Sequence, residues 1–94
     1  MATIKIMYWR DIPYALRTFD QDTKCSKQLP ALFETSIDKA AMVSGLTDQD
    51  SYHSQFHWGK EETRPGTAEE VALEVHDELV AAYTPSRLEA MTRE

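Results

Sequence analysis

Residues 3–13 read TIKIMYWRDIP, and the first seven of them decide the fold class. They are rich in β-branched and aromatic types, and they alternate: Ile4, Ile6 and Tyr8 fall on one face of an extended chain, Lys5, Met7 and Trp9 on the other. This pattern predicts a strand with one clearly apolar face. The second face carries Met7 and Trp9 beside Lys5 and is too apolar to be wholly solvated, so it is expected to be partly covered. Pro13 cannot donate to a ladder and biases Ile12 towards an extended conformation, which ends or turns the strand there. YALRTF at 14–19 predicts a second, less regular strand. Asp20 and its neighbours to Thr23 favour a turn through side-chain to backbone hydrogen bonds, and KCSKQ at 24–28 fits either a return strand or a loop.

Beyond this, the chain turns helical. Pro30 suits a first helical turn, and Leu32, Phe33, Ile37, Ala40 and Ala41 recur at helical spacing. Gly45 supplies a left-handed C-terminal residue, so the helix is placed at about 30–44, with Leu46 folding back on its last turn. YHSQFHW at 52–58 follows a polar connection; its aromatic content favours a strand, with a helix capped by Asp50 as the competing reading. GKEETRPG at 59–66 reads as a charged loop. Thr67 then precedes Glu70 at the spacing of a capping box, which opens a long helix striped by Val71, Ala72, Val75, Leu79, Ala82 and Tyr83. Thr84-Pro85 is expected to stop it, leaving 86–94 as a short charged tail with Leu88 and Met91 three apart, which either adds a last turn or remains loose. The expected order is β-β-α-β-α: one small α+β domain over residues 1–85, its two helices on one face of a small antiparallel or mixed sheet.

A chain of 94 residues with 41% hydrophobic residues fills one core and no second one. The single cysteine, Cys25, forms no internal bridge, and no charged region leads into an apolar signal segment, so a cytoplasmic location is expected. No apolar stretch approaches the roughly 20 residues that cross a bilayer. The net charge of −6 opposes approach to a phosphate backbone. Arg17, Lys24 and Lys27 fall in one short stretch, but Asp20 and Asp22 interleave with them, and neither nucleic acid nor membrane is expected as a partner.

Few residues suggest chemistry. His53 and His57 share one face of either a helix or a strand, though about 13 Å apart in a strand, where they cannot hold one ion. In a helix they could, with His76 or Cys25 as a third ligand, but no Glu follows His53 directly and surface histidines are the preferred reading. Lys24 and Lys27 near Cys25 favour its thiolate, yet nothing in the sequence fixes a base beside it. The acids of the last helix read as a solvated face that complements the helix dipole. No glycine-rich phosphate loop, dinucleotide pattern or CxxC is present, so no cofactor is expected. The aromatics remain. Tyr8, Trp9 and Tyr14 flank Arg10-Asp11, and a domain this small cannot easily bury every ring. Trp, Tyr and Arg anchor protein interfaces, which makes Trp9, Arg10, Asp11, Tyr14 and Trp58 the candidate interaction surface. The competing reading packs the two tryptophans under the helices and pairs Arg10 with Asp11 or a helix acid; it is favoured for Trp58 and disfavoured for Trp9 and Arg10.

Four phrases, IMYWRDIP at 6–13, KQLPALFETSIDKAAM at 27–42, DSYHSQFHW at 50–58 and EEVALEVHDELVAAY at 69–83, resemble a small bacterial domain family described as "virulence factor". The resemblance covers nearly the whole chain and implies no catalytic residue, because no activity is established for the family. Its stand-alone members look like companions of folate- and corrinoid-dependent one-carbon enzymes, which implies an accessory subunit; the family's description implies no toxin activity. The resulting expectation is a non-catalytic subunit of a cytoplasmic bacterial complex with another protein as partner. The alternative is a small-molecule or anion-binding domain with an enzymatic role, in which Arg10 or Arg17 holds an anion between aromatic walls.

Overall fold

β1 (Ala2–Trp9) and β2 (Ile12–Phe19) form an antiparallel hairpin around Arg10 and Asp11 in the computed structural model, which describes residues 1–93. Arg10 takes φ 54°, the left-handed region that a two-residue hairpin turn demands. Its N–H donates to the Gln55 carbonyl at 3.0 Å, and the His57 ring donates from Nε2 to its carbonyl at 2.7 Å, so both backbone groups are held from outside the hairpin. Strand pairing runs Ile4↔Thr18, Lys5↔Arg17, Ile6↔Leu16 and Met7↔Ala15, then shifts to Tyr8↔Pro13 and Trp9↔Ile12, leaving Tyr14 as the extra residue of a bulge. Pro13 therefore lies inside β2 rather than ending a strand; a bulge is where a sheet accepts a residue without an N–H.

β3 (Lys24–Gln28) pairs antiparallel with β2 and forms one edge of the sheet, so KCSKQ is a return strand. Two short strands pair with the opposite side of β1: β4 (Phe56–Trp58) along Met7–Trp9 and β5 (Glu62–Arg64) along Ala2–Ile4. Gly59 links them at the point of closest approach. Its N–H donates to the Ile6 carbonyl at 2.7 Å, and a Cβ there would stand 2.7 Å from Cε2 of Tyr8. β5 corrects the reading of 59–66 as a loop; three polar residues find a strand because β1 leaves the outer edge of its first half open.

α1 (Ala31–Ser44) follows Pro30 and ends at Gly45 with φ 74°, and the Leu46 N–H closes its last turn on the Ala41 carbonyl at 2.8 Å. The strand expected over 52–58 is half helix: α2 (Gln49–Ser54) carries Tyr52 and His53, and only Phe56–Trp58 extends. Asp48, not Asp50, caps α2 by accepting from the Ser51 N–H at 3.1 Å, and the four-residue spacing of Tyr52 and Phe56 brings their rings to 5.6 Å. α3 (Ala68–Ala82) opens with the capping box of Thr67 and Glu70. Residues 86–92 are no tail. Thr84 accepts from the Arg87 N–H at 3.2 Å and Pro85 occupies the first turn of α4 (Pro85–Thr92), so the residues that stop α3 also start a helix. Leu88 is fully buried; Glu94 lies outside the described residues.

The element order is thus β-β-β-α-α-β-β-α-α, an α+β domain on a five-stranded antiparallel sheet. Instead of one layer of two helices, four helices serve two core clusters. α3 lays Val71, Ala72 and Val75 over Ala2, Ile4 and Leu16, while α1 and α4 gather Phe33, Ile37 and Leu88 around Trp9 and Ile12 at the hairpin end. Leu79 of α3 touches both clusters. The start of α3 is fixed to the sheet by two polar contacts. Buried Thr18 donates to the Ala68 carbonyl at 2.6 Å, and Asp20 accepts from the Ala68 N–H at 3.0 Å. The same carboxylate accepts from the N–H groups of Asp22 and Thr23, and these three backbone donors hold it below its ordinary range.

Candidate functional site

Because strand side chains alternate, the face of the sheet turned away from α3 can be read row by row from the strand pairing. One row crosses Ser26, Arg17 and Lys5; the next crosses Gln28, Ala15, Met7 and Trp58; a third joins Lys24 to Phe19. Arg17, Lys24, Ser26, Gln28 and Trp58 are exposed, and no described helix lies over these rows. Lys5 places Nζ 5.8 Å from the Phe19 ring centre and 5.9 Å from that of Trp58, and Arg17 brings Cζ to 5.3 Å from Trp58. Those distances lie within the reach of cation–π attraction. Trp58 is left 42% exposed, the one aromatic among the exposed large apolar side chains of the described residues.

The charge of this face runs against that of the chain. Lys5 pairs with Glu61 at 3.1 Å, but Arg17 and Lys24 have no carboxylate partner among the described residues, although the chain has 16 acids; Lys27, opposite Leu16 on the other face, has none either. Arg64, on the other side of the sheet, is matched: it donates to both oxygens of Glu78 and to Glu74 at 2.6–2.8 Å, which holds the Glu78 carboxyl below its usual range.

The five residues expected to form an interaction surface do not share one environment. Trp9 is 0% exposed; its ring fills the cluster at the hairpin end and its Nε1 donates to the Tyr52 carbonyl at 2.8 Å. It cannot meet a partner directly, which corrects its place on that surface. Arg10 and Asp11 are exposed at the hairpin tip. Arg10 pairs with neither Asp11 nor a helix acid among the described residues; it donates to Ser44 Oγ at 3.1 Å and to Gln55 Oε1 at 3.4 Å, and stands 5.6 Å from the Trp9 ring. Tyr14 is half-buried at the bulge, edge-on to Phe56, with its hydroxyl accepting from Gln28 at 2.9 Å. Tyr14 and Trp58 border the same shallow concavity on the uncovered face, whereas Arg10 and Asp11 border a different one with Met91 and Ala40. The structure therefore joins Tyr14 and Trp58 to Arg17, and separates them from Arg10.

Sequence reasoning placed Lys5 and Met7 on this side of β1 but named neither them nor Phe19 as part of a candidate surface. The signal was present in the alternation of Lys5 with Ile4 and Ile6, but its extent depends on where helices land. Among the other candidates, Cys25 is half-buried beneath α3 at the sheet edge. His53 sits on α2 beside Tyr52 and Phe56, while His57 on β4 stacks on Tyr8 at 5.8 Å and gives its Nε2 to Arg10. No group of three or more His, Cys, Asp or Glu among the described residues is gathered closely enough to hold an ion, and none of the described helices is long and apolar enough to cross a membrane. The only phenol pushed up to about 12 is Tyr52, by burial and by its donation to Asp38 at 2.8 Å, a structural contact between α2 and α1.

No curated protein and no solved structure matches the chain. Residues 7–92, spanning β1 from Met7 through α4, match the model of the family described as Virulence factor, and the chain belongs to that family.

Proposed function

We propose that this chain is a non-catalytic accessory subunit that docks onto another protein of a cytoplasmic bacterial complex through the uncovered face of its sheet. The observation that supports this reading is Trp58, left 42% exposed between Arg17 and Lys5 on a face that no described helix covers. Exposed aromatics braced by arginine are the residue types that anchor interfaces, and they lie here on rigid strands rather than on a loop. The family resemblance adds one-carbon enzymes of the folate and corrinoid type as the partners to look for first.

The test replaces Arg17 and Trp58 together by alanine. Both are exposed, so circular dichroism and the melting temperature should stay close to wild type, while the proteins recovered with the chain from its host should be lost. An unchanged set of recovered proteins sinks the reading. A second reading, an anion-binding domain with an enzymatic role, is favoured by the guanidinium of Arg17 standing 5.3 Å above the Trp58 ring. Arg10 takes no part in it, since it borders a separate concavity. A thermal-shift screen with folates, nucleotides and carboxylates decides: stabilisation that Arg17→Ala abolishes supports it, and no shift removes it.

A further inference from the structure

β3 ends the sheet. It pairs with β2 on one side only, and its residues alternate exposed and half-buried from Lys24 to Gln28. Such an edge presents a row of backbone donors and acceptors ready to pair with another extended chain. Resting on the reading of this chain as an interaction domain, we propose that the docked partner segment adds as a sixth strand along β3, and that it is an extended segment with acidic residues at every second position.

Charge and side-chain alternation select that occupant. On the uncovered face an added strand meets Lys24, with Arg17 one strand further in opposite Ser26, and neither cation has a carboxylate partner among the described residues. Added residues on that face stand about 4.8 Å from β3 and repeat every 6.6–6.8 Å, so alternate carboxylates face Lys24 and come within reach of the long Arg17 side chain. On the other face the strand lies beside Cys25, which packs against the Val71 and Val75 cluster, and beside half-buried Lys27; an apolar residue there extends the packing of Cys25 and covers the methylene stem of Lys27. A second copy of the chain is a poor occupant, because KCSKQ has no acid to set against Lys24 or Arg17 and adds two more lysines to the same edge; lysine on an edge works against self-pairing. Nucleic acid offers no backbone to match the strand edge and meets a chain of net charge −6.

The probe is a fluorescein-labelled decapeptide of alternating glutamate and valine, titrated against the whole chain by anisotropy at physiological salt. Binding is expected, together with slowed amide exchange within Lys24–Gln28. The double variant Lys24→Glu, Lys27→Glu, which sets a like charge against the glutamates on one face of β3 and a charge against the valines on the other, should weaken binding at least tenfold. Lys39→Glu with Lys60→Glu makes the same change in net charge at exposed positions away from β3 and should leave binding within twofold. The proposal falls if the peptide with proline in place of valine binds equally, if the distant pair weakens binding as much as the β3 pair, or if no binding is seen. Binding of an oligouridylate in place of the peptide overturns it as well. Loss of host partners on Arg17→Ala with Trp58→Ala, but not on the β3 pair, leaves the interaction reading standing and removes this one.

Discussion

Replacing Trp9 separates the two roles that a buried aromatic beside an exposed arginine could have. The side chain is fully buried among Ile12, Phe33, Ile37 and Leu88, and its indole donates to the Tyr52 carbonyl at 2.8 Å. Truncating a buried Trp to alanine costs about 3–5 kcal/mol, from lost transfer free energy and an incompletely collapsed cavity. A 94-residue domain has in total about 5–14 kcal/mol of stability, so Trp9→Ala removes a large part of it. With a urea slope of about 1.5 kcal/mol/M, the unfolding midpoint should fall by about 2–3 M. Trp9→Phe keeps most of the ring volume but leaves the Tyr52 carbonyl without its donor, for a loss of about 1–3 kcal/mol. Urea titration followed by far-ultraviolet circular dichroism, with the two variants beside wild type, provides both numbers. A cooperative transition for Trp9→Ala within about 1 kcal/mol of wild type would refute the packing argument and return Trp9 to the surface.

Leu88→Ala should lower stability by about 2–5 kcal/mol, and hence the melting temperature by at least about 8 °C, because Leu88 ties α4 to the Trp9 cluster; an unchanged melt would mean that residues 86–92 are dispensable. Asp20 is held below its ordinary value of 3.8, first by the Ala68 N–H and then by those of Asp22 and Thr23, so its contribution is fully present above that value and is lost as pH falls through the depressed one. Asp48 and Glu78, also depressed, act in the same direction. Asp20→Ala should therefore be less stable than wild type at pH 7, with the gap closing below pH 3.8; a gap that stays constant down to about pH 2 would show that the carboxylate's charge is not what holds α3.

The elements visible in the sequence are those whose signals are local. Alternation in Thr3–Trp9, Gly45 after an apolar stripe and the Thr67–Glu70 box each involve residues a few positions apart, and β1, α1 and α3 appear where those signals stand. The failures have a different source. Thr84-Pro85 reads equally as the end of one helix and the cap and first turn of the next, and only the burial of Leu88 against α1 chooses between them. β5 has no pattern of its own; Glu62–Arg64 extends because the edge of β1 needs a partner there. The most instructive case is the row Lys5, Met7, Trp9. Alternation puts the three together, yet one end of the row lies beneath α1 and α4 while the other is open beside Trp58. Which tryptophan is buried depends on helices that begin at Ala31 and Pro85, far along the chain from Trp9, and the preference for an exposed Trp9 and a covered Trp58 is reversed accordingly.

What the fold leaves unmatched bears on the partner. A tryptophan brings roughly 150–250 Å², so the 42% of Trp58 still exposed corresponds to about 60–105 Å². At about 25 cal/mol/Å², covering it is favourable by about 1.5–2.6 kcal/mol. That gain is available only to a surface that also deals with Arg17, whose charge lies 5.3 Å from the ring and has no carboxylate among the described residues. An apolar lid would desolvate the guanidinium without replacing its water, and burying an unpaired charge costs more than the ring returns. Lys5 is already matched by Glu61, so a single added carboxylate near Arg17 is enough to make coverage favourable. The same requirement recurs at Lys24 and Lys27 on the neighbouring edge. An acidic segment therefore suits the aromatic face and the strand edge for one physical reason: both lack the negative charge that the rest of this chain has in excess.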